Sequence, residues 1–117
     1  MRPISRARLA TNRQSYRAES TVFARVENYG TVAVGYGVPY SIEHLEGESW
    51  VEAPESPKGP WILPLLLNPP GFSGRCNGFL VPPEMAAGNY RVVKEVMFGL
   101  LRPAVRKTLT AEFQVIP

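Results

Sequence analysis

The 117-residue chain contains no aspartate at all; its ten acidic residues are all glutamate. That absence removes the usual first ligand of Asp-rich calcium loops and the aspartate that orients most catalytic triads. There is one histidine, His44, and one cysteine, Cys76. A zinc site needs three or four clustered ligands, and an intramolecular disulfide needs a second cysteine, so neither is expected. The longest apolar run, Trp61 to Leu67, holds a proline and is far too short to cross a bilayer as a helix. No apolar stretch follows the basic start Met1-Arg2-Pro3-Ile4-Ser5-Arg6, so the chain as given reads as soluble and without an export signal. A cytoplasmic protein is expected if Met1 is the natural start, and a cell-surface or secreted module if the chain was trimmed.

What is abundant is proline and glycine, twelve and ten residues spread over the whole length. They leave no uninterrupted window for a helix with a periodic apolar stripe. Apolar residues at 44% and charged residues at 20% are ordinary for a globular chain, and the length suits one core. Residues 22–27 alternate apolar and outward-facing side chains until Asn28-Tyr29-Gly30 stops the strand. Residues 31–39 hold three turn-forming residues and read as a loop. Residues 40–44 and 50–52 form a hairpin about Glu46-Gly47-Glu48. Residues 53–60 are a proline-rich loop, and 61–67 an edge strand or irregular crossing. Strands are expected over 75–81, with Cys76, Gly78 and Leu80 sharing a face, over 90–96 and over 109–115. With a strand near Ile4 to Ala10 the count is seven or eight, the pattern of an all-β Greek-key sandwich, with a barrel as its structural rival. The expected division is a basic N-terminal arm or first strand over 1–18 and the sandwich over 19–117.

Ala87-Gly88-Asn89-Tyr90-Arg91-Val92 resembles the tyrosine corner of immunoglobulin-like domains, with Tyr90 as the residue that bonds back to the preceding turn. Val92 stands where antibody domains carry a cysteine. Four segments, residues 25–30, residues 36–43 leading to Trp50, residues 67–71 and residues 88–95, are similar to a bacterial immunoglobulin-like domain family. The resemblance implies an immunoglobulin-like sandwich and no catalytic residues. Glu43 and Lys94 are expected near each other across one sheet, either as two solvated charges on its outer face or as a structural pair.

Charge is segregated: residues 1–25 hold six arginines against Glu19, and residues 26–57 hold six glutamates and no Lys or Arg. The candidate interaction residues are therefore Arg6, Arg8, Arg13 and Arg17 on the basic side and Glu46, Glu48 and Glu52 on the acidic hairpin. They point to a non-catalytic protein-interaction or assembly module, with self-association or docking to a protein partner. Two other readings compete. One is a protease inhibitor presenting the loops Gly35-Tyr36-Gly37, Gly71–Gly74 and Arg102-Pro103; the other is binding of nucleic acid or an anionic surface through the arm, with its arginines around Tyr16. No cofactor, no metal and no enzyme activity are expected: a His44–Cys76 dyad is a remote pairing, hairpin glutamates between Glu43 and Glu55 face water rather than each other across a cleft, and glycine turns lack the helix that would cradle phosphate.

Overall fold

The computed structural model describes residues 3–61, 65–99 and 105–117. Among them are ten strands and no helix: β1 (Ala7–Thr11), β2 (Ser15–Tyr16), β3 (Thr21–Asn28), β4 (Val34–Tyr36), β5 (Ser41–Glu46), β6 (Ser49–Glu52), β7 (Leu66–Asn68), β8 (Ser73–Leu80), β9 (Gly88–Phe98) and β10 (Val105–Val115). A small sheet has the order β1-β3-β8. A larger one runs β2-β10-β9-β4-β7, with the β5–β6 hairpin joining β9 beside β4. The two form a sandwich of the immunoglobulin-like type.

Period-2 alternation explains the core. On β3, Val22, Ala24 and Val26 face in; on β10, Leu109, Ala111, Phe113 and Val115 do the same; on β9, Tyr90, Val92, Val96 and Phe98 meet them. Each fully buried valine or isoleucine here contributes about 1.5–3 kcal/mol relative to an exposed one. The two sheets are also tied at one end by buried amides. Asn28 Nδ2 donates to the carbonyls of Val32 and Asn68, and Asn68 Nδ2 donates to that of Val26. Buried amides need such partners, and these bonds fix β7 against the small sheet.

The sequence expectations need four corrections. Residues 34–36 are not loop: β4 pairs with both β7 and β9, and all three residues are buried. The second is β8, where Cys76, Gly78 and Leu80 do not share a face. Ala24 pairs with Asn77 and Arg25 with Arg75, so Cys76 is the extra residue of a bulge. The bulge turns Asn77 and Phe79 inward and leaves Gly78 and Leu80 outward. Third, of the two readings for residues 61–67 the edge strand is the one observed, but its described bounds are Leu66–Asn68, with Leu65, Leu66 and Leu67 about half exposed; residues 62–64 lie outside the described residues. Fourth, the N-terminal strand begins at Ala7, and a second short strand follows it in the other sheet.

Candidate interaction surfaces

The basic segment is built into both sheets. β1 is an edge of the small sheet through β3, and β2 is an edge of the large sheet, parallel to the end of β10. Tyr16 anchors this crossing, fully buried, its ring edge-on to Phe113 at 5.6 Å. Its hydroxyl donates to Asn12 Oδ1 at 2.6 Å and accepts from the Arg13 backbone N–H at 2.8 Å. An aromatic set among arginines thus turns out to be a core residue that clamps the segment. Arg6, Arg13 and Arg17 are exposed, and no ion pair is formed by them among the described residues.

Arg8 is different. The β1–β3 register sets it opposite Glu27, and its Nε donates to Glu27 Oε1. Glu27 also accepts from Arg25 Nε at 3.1 Å and from the Tyr29 hydroxyl at 2.9 Å. The Arg8 hydrogen bond, opposed by burial and helped by those from Tyr29 and Arg25, holds the Glu27 carboxyl down at about 2. Nothing in the alternation pattern identifies this cluster, because it depends on register between strands.

The acidic residues lie at the other side of the large sheet. Among the described residues, β6 pairs only with β5. Glu46 pairs with Ser49 around a two-residue turn whose first residue, Gly47, has φ +64°, the geometry of a type II′ hairpin. Ala53 N–H donates to the Ile42 carbonyl, which sets the parity of the ladder and turns the backbone groups of Trp50 and Glu52 to the open edge. Glu46 sits 3.8 Å from His44 Nε2, Glu52 is paired with Lys58 at 2.7 Å, and Glu48 is exposed.

Glu43 and Lys94 do not pair. Glu43 is on the outer face, directly opposite Arg91, and the two form a half-buried ion pair at 2.6 Å. The Arg91 guanidinium lies 4.5 Å over the Trp50 ring, locking the hairpin to β9. Lys94 has the parity of Val92 and Val96, so it points to the opposite face and is fully buried. Its Nζ donates to the carbonyls of Gly37, Pro39 and Val38 at 2.6, 2.9 and 3.2 Å. Burial lowers its pKa from the ordinary lysine value, with Cys76 acting in the other direction. Tyr90, at the start of β9, donates its hydroxyl to the Ala86 carbonyl at 2.6 Å, the geometry of a tyrosine corner.

Among the described residues, no hydrogen bond joins His44 to Cys76. His44 lies on β5, tilted against Tyr90, while Cys76 sits on β8 with its thiol directed at the Ala24 carbonyl and its pKa raised by burial. A thiol in that setting is a poor nucleophile. Among the described residues no three histidine, cysteine or acidic side chains come together. One of the three loops expected of an inhibitor is not a loop, since Gly35 and Tyr36 are in β4; the Arg102-Pro103 loop lies outside the described residues.

Comparison with known proteins places this geometry. The family profile of the bacterial Ig-like domain matches residues 4–114. No curated protein matches the chain. Two solved structures align with most of it. One is the ASH / PapD-like domain of human CEP192 (PapD-like domain 7), with 16% identity, a TM-score of 0.44, and coverage of 93% of this chain and 85% of that one. The other is the sporulation control protein Spo0M from Bacillus subtilis, with 12% identity and a TM-score of 0.48; 97% of this chain aligns to 51% of Spo0M, about half its length. The family match spans both sheets, and the chain belongs to the bacterial Ig-like domain family.

Proposed function

We propose that this domain is a non-catalytic assembly module that joins protein partners along the edges of its large sheet, its first partner being a second copy of itself. One observation carries the reading. At the end where β9 begins, the sheet runs β2-β10-β9-β5-β6, and its two edges bear opposite charge. Arg13 and Arg17 flank β2; Glu46, Glu48 and Glu52 lie on and around β6. Four strand spacings separate these edges by about 19 Å, so one copy cannot satisfy both itself. The acidic edge of one copy instead meets the basic edge of the next, a head-to-tail contact that closes into a ring or continues as a filament. Because the charges are exposed, the contact weakens with salt.

Charge reversal tests this. Arg13→Glu with Arg17→Glu in one variant, and Glu46→Lys with Glu48→Lys in another, each abolish association in sedimentation runs at low ionic strength, while mixing the two restores it. Association unchanged by either pair of substitutions contradicts the reading.

A further inference from the structure

The outer face of the small sheet, away from the charged edges, holds a group of side chains that the assembly reading does not use. The β3–β8 register sets Arg25 directly opposite Arg75. Two like charges at facing positions are unfavourable in a sheet, and neither side chain avoids the encounter by burial: Arg25 is 41% exposed and Arg75 is exposed. Both are held in place. Glu27 engages the Nε of Arg25, whose terminal N–H groups make no hydrogen bond among the described residues, while the Arg75 guanidinium stacks 4.1 Å from the centre of the Phe23 ring. Phe23 in turn lies across Gly78, where an added Cβ would sit only 3.2 Å from the ring.

The two arginines border an open cleft of about 200 Å³ that also includes Asn12, Phe23 and Ser73. Its polar lining is weighted to donors. Asn12 Oδ1 is already taken by the Tyr16 hydroxyl and the Phe23 N–H, which leaves the Asn12 amide N–H groups for the cleft. Glu27, the one neighbouring carboxylate, is occupied by Arg8, Arg25 and Tyr29. Arg8, Arg25 and Arg75 against Glu27 leave a local charge of 3 − 1 = +2. The bulge at Cys76 adjoins Arg75, in the manner of bulges that re-aim a side chain at a site.

We propose that this cleft binds a phosphate-class oxyanion, with the Arg25 and Arg75 guanidinium groups as its principal ligands and Ser73 and Asn12 as supporting donors. Two guanidinium forks with a hydroxyl and an amide present more donors than one carboxylate can accept, and they suit a tetrahedral anion. Neither residue stands out in the sequence as a ligand, because their apposition arises from strand register.

The test titrates inorganic phosphate into the full chain in a buffer free of phosphate and sulfate, at constant ionic strength, followed by amide and arginine Nε–Hε NMR signals and by thermal melting. Expected are saturable shifts confined to Asn12, Arg25, Ser73, Arg75 and their strand neighbours, with a rise in melting temperature. Arg75→Gln lowers the affinity at least about tenfold. Arg75→Lys, which keeps the charge and loses the fork, falls between the two, and Arg106→Gln on the other sheet binds as the parent does. Overturning results are shifts that do not saturate or spread over all arginines, an Arg75→Gln variant that binds as tightly as the parent, or an Arg106→Gln variant that loses as much. Equal binding of free glutamate at the same ionic strength overturns the preference for phosphate.

Discussion

Lys94 and Glu43 show how much one residue of strand parity decides. Both interrupt apolar alternation in neighbouring strands, yet they occupy opposite faces of the same sheet. Lys94 holds three carbonyls of the segment leading into β5, and its removal takes the donor from those of Gly37 and Pro39 while Val38 keeps that of Asn77 Nδ2. Lys94→Met is expected to cost about 2–4 kcal/mol, the loss being moderated because a desolvated charge is removed with it. Glu43→Met breaks the Arg91 pair instead and costs about 0.5–1 kcal/mol. In a double-mutant cycle by urea unfolding the two effects add to within about 0.5 kcal/mol; a larger coupling would mean that the side chains interact after all. Glu27 provides the acid-side prediction. Its folded pKa, near 2, is below the ordinary 4.5, so its stabilising contribution is complete above about 4.5 and is lost as the pH falls toward 2. Glu27→Gln is expected to flatten the stability profile across that window, and a variant with the parent's acid slope would contradict the Arg8–Glu27 account.

At the scale of elements, the N-terminal segment is held by backbone as well as by charge. Tyr29 N–H donates to the Arg6 carbonyl and Thr31 N–H to that of Ile4, and Gly30 lies between them. A Cβ at Gly30 would fall 2.1 Å from the Ile4 carbonyl oxygen. Gly30→Ala is therefore expected to displace residues 4–6 and to destabilise the fold by about 2 kcal/mol or more, with amide exchange rising first along β1. Unchanged protection of β1 would show that the approach is not tight. Strands β3 and β10 were legible in the sequence because their apolar alternation is unbroken. β4 was not, since three residues including Gly35 give no period and its partners are remote in the chain. The inward face of β8 is not legible from alternation, because a bulge inserts one residue and no composition cue marks Cys76 as the insertion. The inward parity of Lys94 was present in the sequence, in its spacing from Tyr90, Val92 and Val96, but a lysine there reads as a break in the pattern rather than as part of it.

For the whole molecule, the sequence disclosed that charge is segregated but not how. Arg8 and Arg25 prove to be held by Glu27, which removes part of the apparent basic character of residues 1–25. Arg13 and Arg17 lie on the opposite side of the large sheet from the acidic hairpin, which is a consequence of strand order and appears nowhere in local pattern. The proposed assembly rests on that separation. It is tested most directly by light scattering behind size-exclusion chromatography at low and high salt. The account predicts species larger than the 13.0 kDa monomer at low salt that dissociate to it as salt is raised. A monomer at high protein concentration and low salt would contradict it.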